Sequence, residues 1–319
     1  MNDSFEVIAE IIRLTTLFAT PLLFAALGEL FGQRSGVLNL GVEGQMLMGG
    51  FIAIYVVSDK GFGMSPWIGL LAAIAVGVLF GLATAVVNVS LKAQQGISGI
   101  GFTLFGSGLS SLLFKVLAGG VITVQGFQRL EIPVLSDLPF LGIAFFSHNA
   151  LVYIAFALVP ISVWVLNKTN WGLQVRAVGQ NPAAADSVGV KVGLVRYTTA
   201  ILGGVLAAVA GAALSIAITN VFQEDMTAGA GFIAVALVYF GAWSPRRVMA
   251  GALLFSFASI LQNFVQIFNS IEGFPISLDV PPNLLIMVPY WLVIVVLIFA
   301  RERKRVEPAA LTKPFEREG

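Results

Sequence analysis

The chain has 319 residues, of which 57% are hydrophobic and only 11% charged, and its mean hydropathy is +0.91. A soluble core cannot absorb that much apolar surface, so the excess faces lipid, which excludes a soluble enzyme, a nucleic-acid binder and a disordered protein. The net charge is only +1, and with no cysteine and a single histidine, His148, the chain cannot form disulfides, thiolate metal sites or a mechanism that needs two histidines.

The opening stretch MNDSFEVIAEIIR is acidic and does not read as a cleaved signal peptide. Within it Glu10 and Arg13 are three apart and can pair on one helix face. Nine apolar segments follow, at residues 7–31, 45–57, 67–91, 97–118, 149–166, 197–219, 231–243, 248–268 and 284–300. Crossing about 30 Å of hydrocarbon takes roughly 20 helical residues. Segments 45–57 and 231–243 have 13 residues each, about 20 Å of helix, and the glycine-rich GVLNLGVEG and GAG precede them. The halves also echo each other. GFIA occurs at 50–53 and 231–234, PW at 66 answers PRR at 245, and LFGLATAVVN at 79–88 answers LFSFASILQN at 254–263. Related spans five crossings apart run in opposite directions, the pattern of inverted repeats built around broken helices.

Charge sets the orientation. With the tail RERKR in the cytoplasm, nine crossings place 14 of the 18 basic residues inside and only Arg13, Lys60, Lys115 and Arg129 at or near the outer side. The N-terminus is then outside and the C-terminus inside, with His148 at the outer end of a span as an interface residue. The outer segment 119–149, with scattered proline and glycine, either connects two spans or helps dock a binding protein.

Two stretches stand out. In RSGVLNLGVEGQMLMGG, residues 34–50, the polar Asn39, Glu43 and Gln45 stand among apolar neighbours, and Asn39 and Glu43 share a face if the segment is helical. They read either as pathway-lining groups or as a polar clamp on a broken helix. In the inner segment 168–196, Asn181 can cap a short helix starting at Pro182, running through Ala183, Ala184, Ala185, Asp186, Ser187 and Val188 and ending at Gly189. Flanked by Arg176 and Lys191, it reads as a lever for another protein or as a connector on the membrane surface.

These two stretches, with GLQVRAVGQNPAAADSVGV spanning the second, and the tail PAALTKPF resemble permease subunits of bacterial nucleoside and simple-sugar ABC importers, relatives of the ribose and branched-chain amino-acid permeases. The resemblance implies an all-α polytopic fold of the type II importer kind, with a transmembrane domain over 1–300 and a cytoplasmic tail over 301–319. It implies a place in the bacterial inner membrane and makes residues 181–189, with Arg176, the coupling helix. The implied partners are a second permease, most closely a paralogue, a cytoplasmic ABC ATPase that carries ATP and magnesium, and an extracytoplasmic substrate-binding lipoprotein. This chain itself binds no cofactor and no nucleic acid. The pathway is expected between the two permeases, lined by Asn39, Glu43, Gln45, Asn88, Thr103, Ser107, Asn220 and Gln223. So neutral a lining suits nucleosides, and also simple sugars or flavin-like solutes.

Other motifs count for less. GAGFIA at 229–234 fits a dinucleotide pattern but lacks the following acidic residue, and GVLFG at 77–81 marks close helix packing. No phosphate-binding G-x-x-x-x-G-K-[ST] is present. GISG at 96–99 would need His148 as a base for Ser98, yet the two fall at opposite ends of their spans, which removes an intramembrane protease. An ion-coupled secondary transporter needs a mid-membrane carboxylate, for which Glu43 is the only candidate.

Overall fold

The computed structural model describes residues 2–131, 136, 140–269, 287, 291, 294 and 307–316. Eleven α-helices occupy the described residues. The first four are α1 (Asn2–Arg34), α2 (Val42–Val57), α3 (Pro66–Ala85) and α4 (Gln95–Leu113). After them come the short α5 (Leu141–Phe145), then α6 (Ala150–Lys168), α7 (Asn170–Gln180) and α8 (Pro182–Ser187). The last three are α9 (Val192–Ala213), α10 (Ala230–Phe240) and α11 (Pro245–Asn269). Among the described residues five helices are long and apolar enough to cross a membrane, at Glu6–Arg34, Pro66–Ser90, Gln95–Ala118, Ala150–Lys168 and Val192–Ile218, and α2 and α10 are shorter apolar helices. The expected segment 284–300 lies outside the described residues apart from three isolated positions.

Two features depart from the sequence reading. Three spans end in five-residue π-turns, Val86–Ser90, Phe114–Ala118 and Leu214–Ile218. Each is closed by a bond from the amide just beyond it back to its first carbonyl, such as Gly119 to Phe114 at 3.1 Å. The fold is also not wholly helical. Strands β1 (Ile122–Thr123), β2 (Arg129–Glu131), β3 (Ser147–Asn149) and β4 (Val221–Phe222) form two antiparallel ladders, β1 with β4 and β2 with β3. Pairings of two and three residues carry no periodic signal, so composition hid β1, β2 and β3 inside the outer segment 119–149 and β4 just beyond the span that ends at residue 219.

The centre of the molecule is α2, buried at 14 of its 16 positions and packed on α3, α4, α9 and α10. An apolar helix with no polar face can only sit this way. Small residues let the backbones close up. A Cβ on Gly77 would fall 2.7 Å from the Gly204 carbonyl, and one on Gly81 would fall 2.7 Å from the Ile201 Cα, so the GVLFG stretch is the contact of α3 with α9. The opposite faces of α3 and α4 expose Leu71, Leu79 and Leu104, and the π-turn after α4 exposes Val116, side chains suited to hydrocarbon rather than water. On α1, Arg13 Nε donates to Glu10 Oε2 at 2.6 Å, the expected local pair.

Candidate functional site

The chain breaks after α1. Gly36 adopts φ +93°, residues 36–41 are not helical, and α2 starts at Val42. On the far side of the sequence a second break precedes α10, with Ala228 at φ +45° and Gly229 at φ +84°. The two broken ends meet. Glu43, in the first turn of α2, accepts the Thr227 hydroxyl at 2.5 Å and the Gly229 amide at 2.8 Å on Oε1, and the Gly231 amide at 2.6 Å on Oε2. One carboxylate thereby satisfies the leading amides of α10 and sits at the positive end of its dipole. Gly231 is required for the approach, because a Cβ there would lie 2.6 Å from the Glu43 Cα.

A second polar layer lies below this clamp. Asn39 Nδ2 donates to Gln45 Oε1 at 3.0 Å, Gln45 Nε2 to Thr84 Oγ1 at 3.2 Å, and the Gly41 amide to Asn39 Oδ1 at 2.9 Å. The Asn39 amide reaches Glu29 Oε1 at 3.1 Å, which also accepts Gln33 Nε2 at 2.9 Å. Gln33 Oε1 accepts the Trp243 indole at 2.8 Å, and Arg34 donates twice to the Trp243 carbonyl at 2.6 and 2.9 Å. The network joins α1, the 36–41 break, α2, α3 and the end of α10. In a low-dielectric interior such groups are tolerated because they satisfy one another.

This placement corrects the expected pathway lining. Asn39, Glu43 and Gln45 are 4%, 4% and 0% exposed, inside the chain rather than on a channel wall. Asn39 and Glu43 share no helix face, because Asn39 precedes the helix. Asn88 is also sealed, its Oδ1 accepting the Ser98 hydroxyl at 2.5 Å. Thr103 is half-buried on α4 and donates to the Leu40 carbonyl at 2.9 Å, and Ser107, one turn on, donates to Leu104 at 3.2 Å. Asn220, at φ +55°, and the exposed Gln223 sit apart from all of these beside β4. The eight residues do not converge on one surface.

At the inner end, the segment expected as a loop is mostly helical. Thr169 caps α7 by accepting the Gly172 amide at 3.1 Å, and Asn181 caps α8 by accepting the Ala184 amide at 3.0 Å. Gly189 closes it at φ +88°, the left-handed geometry glycine tolerates best. Ala183, Ala184, Ser187 and Val188 are exposed, Arg176 is half-buried, and Ala185 turns inward at 4% exposure, which removes it from the contact surface. The span expected from residue 197 begins at Val192, so Arg196 lies within α9 and not in the loop. Its guanidinium is buried and bonded to the Ser35 carbonyl at 3.3 Å and the Lys313 carbonyl at 3.0 Å.

Lys313 belongs to a docked tail. The Ala310 amide donates to Gly179 at 2.9 Å, the Thr312 amide donates to Gly36 at 3.1 Å, and Lys92 pairs with Glu316 at 2.7 Å. The Lys92 ammonium holds the Glu316 carboxyl below its ordinary range. Ala310 and Leu311 are buried. The three stretches that carry the family resemblance therefore converge on one patch. Sequence alone did not place Arg196 or the tail there, since long-range pairing leaves no local pattern. At the outer end, His148 is buried on β3 rather than interfacial, with Nε2 3.2 Å from the Ala144 carbonyl. Burial pushes its imidazole below the usual range, against that bond. Among the described residues no group of three or more His, Asp or Glu is placed to hold a metal.

Comparison with known proteins agrees with this architecture. Over 304 residues the chain is 36% identical to the guanosine ABC transporter permease protein NupQ of Bacillus subtilis, covering 92% of this chain and 93% of that protein. It is 41% identical to the putative glucose ABC transporter permease protein TsgC13 of Haloferax volcanii, over 80% of this chain and 77% of that one. It is 34% identical to the nucleoside ABC transporter permease protein NupC of Lactococcus lactis, over 88% and 89%. Residues 11–297 match the family described as the permease component of branched-chain amino acid transport systems, and with nearly the whole chain inside that match, this multi-pass membrane protein belongs to that family.

Proposed function

We propose that the chain is the membrane-spanning subunit of an ATP-driven ABC importer and that its solute is a nucleoside. The observation that carries this reading is the extent of the likeness to NupQ and NupC, nearly end to end in both directions. A simple sugar is the second reading, favoured by the likeness to TsgC13. Ion-coupled secondary transport loses its one candidate carboxylate, because Glu43 is engaged by three donors as a helix cap.

The chain crosses the bacterial inner membrane nine times, with inversely related halves, N-terminus outside and C-terminus inside. Support comes from the gathering of Arg34, Lys92, Arg176, Arg196 and Lys313 around the docked tail, while Lys60, Lys115 and Arg129 lie at the other end with the strands. A paralogous permease pairs with it, a lipoprotein delivers solute, and a cytoplasmic ATPase holds ATP and magnesium. The ATPase engages the exposed edge of α8, Ala183, Ala184, Ser187 and Val188, with Arg176 beside it. Asn181, Pro182, Asp186 and Gly189 hold that edge in shape, and Thr103 and Ser107 on α4 and Asn220 and Gln223 near β4 remain open to the pathway.

The test is uptake of radiolabelled guanosine into vesicles holding the whole complex and its lipoprotein. ATP-dependent uptake that unlabelled nucleosides compete away and glucose does not supports the reading. Competition by glucose alone moves it to the sugar. Uptake driven by an ion gradient without ATP overturns it.

A further inference from the structure

Arg34, the last residue of α1, touches two distant elements at once. Its guanidinium donates to the Trp243 carbonyl from Nε at 2.9 Å and from Nη2 at 2.6 Å. Its own carbonyl faces α7. A Cβ on Gly179 would fall 2.0 Å from that oxygen, so only glycine permits the approach. Gly179 stands two residues before Asn181, the cap of α8. A displacement of α8 therefore reaches Arg34 through backbone contact, with no flexible side chain between them to absorb it.

What Arg34 holds is strained. Among the described residues eight other than glycine adopt positive φ, and only Ala242 at +46° and Trp243 at +53° are adjacent. The left-handed region brings Cβ against the following carbonyl, a penalty that a residue as bulky as Trp243 cannot avoid. Such a corner persists only where its surroundings over-determine it. The Trp243 indole donates to Gln33 at 2.8 Å, its ring packs edge-on against Tyr239 with centroids 5.2 Å apart, and the side chain is fully buried. The Ala242 and Trp243 amides close α10 on the Tyr239 and Val238 carbonyls at 3.0 and 3.1 Å. At its other end α10 is pinned to α2 by Glu43. Its 11 residues span about 16 Å, a short lever with one fixed end and one strained end.

We infer that the Ala242–Trp243 corner is the switch through which α8 moves α10, and that Arg34 is the positioning residue that sets it. The inference rests on the importer reading and adds to it the element that moves and the residue that holds it. While Gly179 and Arg34 keep their places, the two guanidinium bonds hold the Trp243 carbonyl in the strained geometry. A shift of α8 carries the Arg34 backbone with it and parts those bonds. The corner then relaxes toward negative φ and swings the inner end of α10 about Glu43. Release of the strain makes that step downhill, and a packed interior resolves it into two arrangements rather than a continuous bend. Arginine suits the task because its rigid fork places two donors on one carbonyl, which lysine cannot reproduce.

Ala242→Gly separates this role from a structural one. Glycine takes the left-handed φ without steric penalty, so the corner keeps its shape and has nothing to release. In the intact complex with its ATPase and lipoprotein, the melting temperature is expected to hold or rise. ATP-driven guanosine uptake is expected to fall by about fivefold or more with ATPase co-purification unchanged. Native uptake in this variant overturns the inference, and a lower melting temperature overturns the strain on which it rests. Arg34→Lys keeps the charge and the carbonyl facing Gly179 but loses the fork. It is expected to bind the ATPase and hydrolyse ATP while moving about tenfold less solute per ATP, and a native ratio overturns the inference. Hydrogen exchange at the Ala242 and Trp243 amides reads the corner without any solute. Their rates are expected to differ at least about tenfold between the nucleotide-free complex and one held with a nonhydrolysable ATP analogue, and equal rates overturn the switch. A complex that responds there but imports no guanosine loses the solute reading and keeps the switch; one that imports guanosine without the response loses the switch alone.

Discussion

Glu43 and Gly231 are 188 residues apart in sequence, yet the carboxylate of one accepts the backbone amide of the other at 2.6 Å. Two short helices thus share one cap, and the carboxylate that would have been the natural ion carrier is committed to architecture. Removing it strands the Gly229 and Gly231 amides and the Thr227 hydroxyl. At about 1–3 kcal/mol for each buried donor left unpaired, Glu43→Ala is severely destabilising, whereas Glu43→Gln keeps one acceptor oxygen and loses less. Thermal melting of the purified protein in detergent is expected to rank native above Gln above Ala, with Glu43→Gln retaining ATP-driven uptake. Identical melting points would show that the clamp carries no stability.

Much of this architecture was legible in the residues, and the failures have physical causes. The apolar segments and their approximate ends followed from composition, and the caps of α8 followed from Asn181, Pro182 and Gly189. The short segments 45–57 and 231–243 were legible as broken helices, but not the fact that they touch. Polarity in an apolar stretch announced Asn39, Glu43 and Gln45 without saying whether they served a channel or one another. Mutual hydrogen bonds decide for the latter, and these form only when segments distant in sequence fold together. The short strands and the docking of residues 307–316 depend on partners elsewhere in the chain, and the π-turns are a one-residue slip in a local bond that composition does not mark.

The coupling role assigned to α8 predicts loss of function without loss of fold. Ala184 is exposed, and a Cβ on Gly189 would meet nothing within 4 Å. Gly189→Val therefore costs only the left-handed backbone strain, about 1–2 kcal/mol, and Ala184→Trp costs little within this chain. Both variants are expected to reach the membrane at normal levels. Uptake is expected to fall by about tenfold or more, and ATPase co-purification with it. Normal values of both in both variants would make the segment a connector.

Arg196 is expected to hold the tail in place. Arg196→Met keeps the apolar stem and deprives the Ser35 and Lys313 carbonyls of their donor. Hydrogen exchange reads the outcome directly, because the Ala310 and Thr312 amides are bonded to Gly179 and Gly36. Both should lose protection in the variant while the amides of α2 keep theirs. Unchanged protection at Ala310 and Thr312 would show that the buried contacts of Leu311 suffice to hold the tail.

Glycines of the same chain are expected to give opposite results according to what stands opposite them. A Cβ on Gly204 would fall 2.6 Å from the Gly81 amide nitrogen, backbone against backbone, with no side chain able to yield. Even Gly204→Ala must push α3 and α9 apart, and because α9 also packs on α1 and α2 the displacement cannot stay local. Overpacking of this kind costs about 1–3 kcal/mol or more, and lower expression with a lower melting point is the expected result. Gly101, in the interior of α4, has open space where its Cβ would be. There alanine only removes conformational freedom from the unfolded chain and improves helix propensity, a gain of about 0.5–1 kcal/mol. Melting points of the two variants, measured side by side in one detergent, should therefore move in opposite directions. A fall for Gly101→Ala as large as that for Gly204→Ala would mean that the open face of α4 is covered in the purified protein, and a tolerated Gly204→Ala would mean that the contact of α3 with α9 is looser than its backbone distances indicate.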